Sequence, residues 1–190
     1  TLIHPEWRIL DPFAGVGRIH EISNHAVGIE LEPEWVEHAR TIIGNSLSLP
    51  FPSSIFDAVV TSPCYGNRMA DHHEAKDGSR RITYRHILAR MPSKNSSAVM
   101  QWGWEYKDFH ERVWKEVLRT LRHGGKFILN CKDHIRGGIQ QYVTYWHVET
   151  LVGLGCQLQA LHGVETPGMR YGANHNQRLS GEWIVELIYE

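Results

Sequence analysis

The stretch WRILDPFAGVGRIH, residues 7–20, constrains this chain more than any other. An apolar run, Trp7 to Leu10, stops at Asp11-Pro12, turns through Phe13-Ala14-Gly15-Val16-Gly17 and resumes as a short helix over Arg18 to Asn24. Gly15 and Gly17 can take backbone angles that other residues avoid, and they let a ligand approach the main chain closely. A glycine turn at a strand-to-helix junction is where open α/β sheets bind their ligands. The turn does not match a dinucleotide fingerprint, whose third small residue would fall at His20. It is not a phosphate loop either, since no Gly-Lys-Ser/Thr follows.

The rest of the chain alternates in the same way. Ala26 to Glu30 reads as a second strand, and Pro33 opens a helix that Trp35, Val36, Ala39 and Ile42-Ile43 extend to about Ile43. A Ser- and Pro-rich loop leads to a strand over 56–61. Residues 62–104 lack strong periodicity apart from one short helix near 82–90, and so long a stretch in a compact domain is either disordered or functional. Tyr106 to Leu121 is a helix with Phe109, Val113, Trp114, Val117 and Leu118 on one face, ended by Gly124-Gly125. Lys126 to Cys131 is a strand, 140–153 a helix, and 156–164 and 183–189 the last two strands. Alternation of strand and helix predicts an α/β fold, a mostly parallel sheet covered on both faces. The last two strands read as a hairpin, which predicts one antiparallel strand.

Size and charge narrow the options. With 190 residues and 42% hydrophobic content, one domain is expected. Twenty basic residues face 21 acidic ones, so any nucleic-acid contact must be local. Cys64, Cys131 and Cys156 are widely spaced and suggest neither a zinc site nor disulfides, which fits a reducing, cytoplasmic setting. No apolar run is long enough to cross a membrane. No metal is expected, since His72-His73-Glu74 are adjacent rather than helically spaced and His-Glu-x-x-His is absent.

Glu30, at the end of the second strand, can accept hydrogen bonds from both hydroxyls of a ribose, with Glu32 as the less favoured substitute. Asn45 could read an adenine edge with its amide, or serve only as a turn residue.

With these residues in place, the chain resembles the S-adenosylmethionine-dependent DNA methyltransferases that modify exocyclic amino groups. Asp11-Pro12-Phe13-Ala14-Gly15 matches their Asp-Pro-Phe-x-Gly turn, and Ser62-Pro63-Cys64-Tyr65 matches their second signature, an Asp, Asn or Ser followed by Pro-Pro and an aromatic. The resemblance implies a Rossmann-like class I methyltransferase fold with a mostly parallel seven-stranded sheet. It implies S-adenosylmethionine as cofactor, S-adenosylhomocysteine as product, and Asp11, Pro12, Phe13, Ala14, Gly15, Gly17, Glu30 and Asn45 as cofactor-binding residues. The Ser form of the second signature tilts the target toward the cytosine amino group over adenine. Three departures stand out. Cys64 replaces the usual Pro, no target-recognition domain is evident, and an upstream segment that usually helps close the cofactor site is expected to be missing or rearranged. Related enzymes methylate RNA guanine or protein glutamine. Restriction–modification, a phage origin and a housekeeping role all remain open, and a DNA substrate implies association with the nucleoid.

The catalytic candidates are Ser62, Pro63 and Tyr65. An amino group on a base is a poor nucleophile because its lone pair spreads into the ring. Ser62 Oγ and the Pro63 carbonyl can accept its hydrogens and aim that pair, while Tyr65 stacks on the base. Pro63-Cys64 also fits the Pro-Cys pair of cytosine carbon-5 methylation, in which a thiolate attacks the ring. The Glu-Asn-Val and Gln-Arg-Arg stretches of that chemistry are absent, and the alternative role for Cys64 is a small apolar group beside the base.

Substrate contacts are expected from two loops. Residues 66–104 form a substrate-binding or lid insertion carrying Asn67, Arg68, Arg80, Arg81, Arg85 and Arg90, and residues 165–182 carry Arg170 and Arg178. Their cations could grip phosphate, and a duplex substrate would need its base flipped out. RNA is a second candidate partner, and a cofactor-binding fold that recognises nucleic acid without turnover is the non-enzymatic alternative. Low specificity, a very short site or a homodimer would each follow from the lack of a recognition domain. Trp102 and Trp104 are either base-stacking surfaces or core anchors, and Asp133, His134 and Arg136 either face the site or cap an element.

Overall fold

A computed structural model describes residues 2–66, 87–166 and 179–190. Asn67, Arg68, Arg80, Arg81, Arg85, Arg170 and Arg178 lie outside the described residues, as does most of the short helix expected near 82–90.

The sequence opens with strand β1 (Ile9–Asp11), the short helix α1 (Ile19–Ile22) and strand β2 (Ala26–Glu30), as the pattern predicts. Pro33 then starts only a single 3-10 turn, Pro33–Trp35, and Thr41–Ile43 form strand β3. The helix expected to run to Ile43 is therefore corrected to a turn and a strand. Three consecutive β-branched residues favour extended chain, and they pair in parallel with β2, Gly28 opposite Thr41 and Glu30 opposite Ile43.

Strand β4 (Phe56–Thr61) lies beside β1. Helix α2 (Trp104–Thr120) hands over directly to strand β5 (Leu121–Cys131). The diglycine expected to end the helix thus sits inside the strand. Pairing with β4 jumps from Leu121 opposite Phe56 to Lys126 opposite Ala58, a bulge that takes up the intervening residues. A small hairpin of β6 (His134–Arg136) and β7 (Ile139–Gln141) precedes helix α3 (Val143–Gly153), followed by β8 (Cys156–Glu165) and β9 (Gly181–Tyr189).

The main sheet has seven strands in the order β3-β2-β1-β4-β5-β9-β8. Only β9 runs against the others, inserted between β5 and β8. Alternate residues of the central strands serve opposite faces. Leu10, Ile29, Val59 and Phe127 meet the buried face of α2, chiefly Tyr106, Phe109, Val113, Trp114 and Val117. Ile9, Ala26 and Ala58 meet Ile19 of α1 on the other side.

Helix α1 packs tightly because two glycines make room. His20 is buried, bonds Thr41 Oγ1 at 2.9 Å through Nε2 and stacks on His38 at 3.9 Å between ring centroids. A Cβ at Gly17 would come within 2.9 Å of the His20 ring, and one at Gly28 within 2.6 Å of Ala14 Cβ and 2.9 Å of Thr41 Oγ1. Gly28→Ala is therefore expected to destabilise the protein by about 1–3 kcal/mol. Gly153→Ala, where an added Cβ meets nothing within 4 Å, should stay within about 0.5 kcal/mol of wild type. Denaturant midpoints of the two variants check both.

Candidate functional site

The parallel strands end together at one edge, and the chain turns there after β1, β2 and β4. Asp11 closes β1. Its Oδ1 accepts from Phe13 N at 3.0 Å and from Thr61 Oγ1, at the end of β4, at 2.8 Å. One carboxylate thus ties the first turn to the strand that leads into Ser62. Burial pushes the Asp11 carboxyl up to about 6, against the lowering effect of those two bonds, and the nearby Glu30 adds to the rise.

Glu30 fixes the other side of the turn. Its Oε2 accepts from Gly15 N at 2.8 Å and its Oε1 from Glu32 N at 2.8 Å. Leu31 N also interacts with this carboxylate, and a carboxylate's about four acceptor sites leave capacity beyond these bonds. Burial raises this carboxyl too. Gly15 sits at φ +53 and Gly17 at φ +85, both in the left-handed region. Ala14 N donates to Ile29 O at 2.9 Å, and Ser46 Oγ donates to the Pro12 carbonyl.

These turns wall an open cleft of about 100 Å³. Of the eight residues expected to bind a cofactor, Pro12, Phe13, Gly15, Glu30 and Asn45 line it, while Asp11, Ala14 and Gly17 support the turn from behind. Asn45 uses Oδ1 to close a turn onto Leu47 N at 2.9 Å, which leaves its amide nitrogen outside that bond. Ser62 and Cys64 line the same cleft. Ser62 Oγ lies 2.9 Å from Tyr65 Oη, which is also 3.5 Å from Asn130 Nδ2 on β5. Pro63 is buried, and burial drives the Tyr65 hydroxyl well above its ordinary value.

The wall facing Glu30 comes from residues inside the expected 66–104 insertion that the sequence reading did not name individually. Asn95, Ser96, Ser97 and Ala98 line the cleft. They are strapped down by Arg90, which donates to Glu34 (Nε to Oε1, 2.8 Å) and to the buried Glu32 (Nη2 to Oε2, 2.7 Å), and by Ser93 N, which donates to Glu32 Oε1 at 2.6 Å. Glu32 thus holds the strap, while Glu30 faces the cleft. Arg90, expected among the phosphate-gripping cations, is committed to this latch. A serine- and asparagine-rich run following a lone arginine was the available signal, but its acidic partners lie far away in sequence.

Trp102 is an anchor. Its ring lies 5.3 Å from Tyr106 and 5.8 Å from Trp146, whereas Trp104 is exposed. Asp133 caps α3, accepting from Thr144 N at 2.8 Å, and Arg136 reaches Gln101 Oε1 at 2.9 Å. Among the described residues, no group of three His, Cys, Asp or Glu is placed to hold a metal, and no helix is long and apolar enough to cross a membrane.

No protein-family model matches the chain, and no curated protein does. Solved structures resemble it over nearly its whole length. An S-adenosylmethionine-dependent methyltransferase from Methanosarcina mazei aligns with a TM-score of 0.60 at 13% identity, covering 99% of this chain and 94% of that one. A geranyl diphosphate methyltransferase in complex with GPP and sinefungin gives 0.59 at 12% identity, over 99% of this chain and 74% of the other. The cyclase SpnF gives 0.58 at 14% identity, over 100% and 77%. The sheet order and these likenesses establish a Rossmann-like class I methyltransferase fold. A fold that also carries a cyclase does not by itself fix the reaction.

The buried acid of the turn has a measurable consequence. The Asp11 pKa is about 6 in the folded protein against 3.8 for the free side chain, so between those values the folded state binds more protons than the unfolded one. Stability therefore falls as pH rises through that window. From about pH 4 to pH 7 the stability difference should move in favour of Asp11→Asn over wild type by on the order of 2 kcal/mol. Urea melts of both proteins across this range test it, and a constant difference would exclude a raised Asp11 carboxyl in the folded state.

Proposed function

We propose that this chain transfers a methyl group from S-adenosylmethionine to an exocyclic amino group of a DNA base, cytosine ahead of adenine. The observation that carries this reading is that Ser62 and Cys64 line the same cleft as Gly15 and Glu30, so the proposed catalytic turn opens onto the proposed cofactor turn.

The residues present suit that cofactor. The cleft has apolar walls from Phe13, Ile29, Trp35 and Phe109 for an adenine ring, and a carboxylate, Glu30, with lone pairs to spare for ribose hydroxyls. A Cβ built at Gly15 would meet no protein atom within 4 Å, so the turn presents bare backbone to the cleft. When bound, S-adenosylmethionine supplies an electrophilic methyl group on a cationic sulfur.

The protein then has to hold the base. Ser62 Oγ and the Pro63 carbonyl accept the two amino hydrogens and turn the nitrogen lone pair out of conjugation. These bonds strengthen as the nitrogen becomes tetrahedral, which lowers the barrier. Tyr65, pinned at its hydroxyl by Ser62 and Asn130, is a fixed platform for the base ring. Ser62 is uncharged, so the amine proton leaves to water or is held at the Pro63 carbonyl. Cys64 packs at the base edge and attacks nothing. The loops carrying Arg68, Arg80, Arg81, Arg85, Arg170 and Arg178 are the proposed contacts to the phosphate backbone, with the base flipped into the cleft.

Incubation with labelled S-adenosylmethionine and unmodified DNA or RNA, followed by digestion and mass spectrometry of the nucleosides, tests the reading. Label on a cytosine or adenine amino group in DNA is expected. Label at cytosine carbon-5 would overturn the mechanism, and label only in RNA would overturn the partner. Ser62→Ala should lose about 100-fold or more in kcat, while Cys64→Ser keeps turnover within a few-fold of wild type. Loss of turnover in Cys64→Ser with cofactor binding intact would restore the thiolate route.

The strap yields a separate expectation. Arg90→Ala leaves Glu32 buried without its cation and frees the wall of Asn95 to Ala98, so S-adenosylmethionine affinity should drop about tenfold or more. Calorimetric titration measures it, and an unchanged Kd would show that the strap does not close the site.

A further inference from the structure

Behind the Ser62–Tyr65 turn runs a buried chain of three hydrogen bonds that no feature of the sequence announces. Trp114 Nε1 donates to His147 Nδ1 at 3.0 Å. His147 Nε2 lies 2.9 Å from Tyr106 Oη, and Tyr106 Oη donates to the Cys64 carbonyl at 2.7 Å. Trp114, Tyr106 and His147 are fully buried. The direction of every bond is fixed. Indole nitrogen can only donate, so His147 Nδ1 accepts and the neutral ring carries its proton on Nε2. That proton goes to Tyr106 Oη, whose own proton is then free only for the carbonyl. The end of the chain is thus a preset donor aimed at one backbone oxygen.

That oxygen belongs to the peptide joining Cys64 to Tyr65, next to the peptide that carries the Pro63 carbonyl. Fixing it limits rotation of the turn on both sides, toward Pro63 and toward the Tyr65 ring. The same helix supports the cofactor turn. His110 Nδ1 bonds the Tyr106 carbonyl at 2.8 Å, and the His110 ring lies 4.0 Å from Tyr106 and 5.7 Å from Phe13.

We propose that Tyr106, oriented by His147 and Trp114, is a positioning residue for methyl transfer, holding the Cys64–Tyr65 peptide so that the Pro63 carbonyl and Ser62 Oγ present the right geometry to the base amine. This rests on the base-methylation reading above. Tyr106 touches neither substrate nor cofactor and acts only through the turn.

The test uses the full chain, labelled S-adenosylmethionine and DNA. Tyr106→Phe keeps the ring and deletes the one donor. Its kcat should fall about tenfold or more, with KM for DNA and Kd for S-adenosylmethionine within about twofold of wild type, because misaimed acceptors matter chiefly in the transition state. His147→Leu should lose kcat similarly. His147→Gln, whose amide oxygen and nitrogen can replace the two ring nitrogens, should recover most of it. A purely structural role predicts parallel losses of cofactor affinity and kcat, with no rescue by Gln. If Tyr106→Phe does not fold, the Leu and Gln pair at His147 decides. Wild-type kcat in Tyr106→Phe would overturn the inference while leaving base methylation standing. If wild type methylates no nucleic acid, base methylation falls, and amide hydrogen exchange over residues 62–66 decides the positioning role. Faster exchange confined to that turn in Tyr106→Phe supports it, and unchanged exchange overturns it.

Discussion

Two buried carboxylates hold this site together. Asp11 and Glu30 sit at the ends of neighbouring strands, and between them they take the backbone amides of Phe13, Gly15 and Glu32 and the hydroxyl of Thr61. Without these acceptors the glycine turn would have no reason to keep its left-handed residues where they are. Holding two acids out of water is unfavourable, and the raised Asp11 and Glu30 carboxyls register it. No Lys or Arg figures among the groups that shift either acid, and Arg90, the cation nearest in role, is spent on Glu32 and Glu34. Two acids held without a basic partner among the described residues are consistent with the cationic sulfonium of the proposed cofactor.

Helix α2 makes one unit of the two turns. Its buried face carries Tyr106 toward the Ser62–Tyr65 turn and Phe109 and His110 toward Phe13. The histidines buried there are neutral, since burial pushes His110 on α2 down to about 3 and His147, reaching in from α3, well below its ordinary value. Uncharged histidines can sit among aromatic rings with little desolvation penalty and still direct hydrogen bonds. The cost lies in uniqueness: a donor–acceptor chain tolerates only one arrangement of its members, which a purely apolar face would not demand.

Much of this was legible in the sequence. β1, β2, β4 and the α2 face follow from local periodicity, and the antiparallel β9 follows from reading the last two strands as a hairpin. The failures share a cause. Thr41-Ile42-Ile43 continues a helical spacing begun at Trp35, but its fate is set by pairing with Gly28-Ile29-Glu30, a contact that no local window contains. Arg122 to Gly125 look like a helix stop because a bulge in a long strand uses the same glycines. The strap depends on Glu32 meeting Arg90, 58 residues away. Trp114 reads as a member of an apolar helical stripe and His147 carries no signal of its own, so nothing local says that the two rings meet.

The strap bears directly on the upstream segment that the family resemblance led one to expect at the cofactor site. Among the described residues, part of the cleft wall comes from Asn95 to Ala98, downstream of the Ser62–Tyr65 turn. Trp102 N donates to the Gly66 carbonyl, and a Cβ on Gly66 would lie 3.0 Å from Trp102 N, so Gly66 and Trp102 meet closely beside the Ser62–Tyr65 turn. Within the stretch between them, Arg90 and Ser93 fasten the chain to the loop after β2. The cleft wall at Asn95 to Ala98 and four of the proposed phosphate contacts, Arg68, Arg80, Arg81 and Arg85, therefore belong to one continuous piece of chain, while Arg170 and Arg178 do not. Anything that displaces this piece must work against the ion pair between Arg90 and the buried carboxylate of Glu32, which couples movement of the strap to the loop after β2.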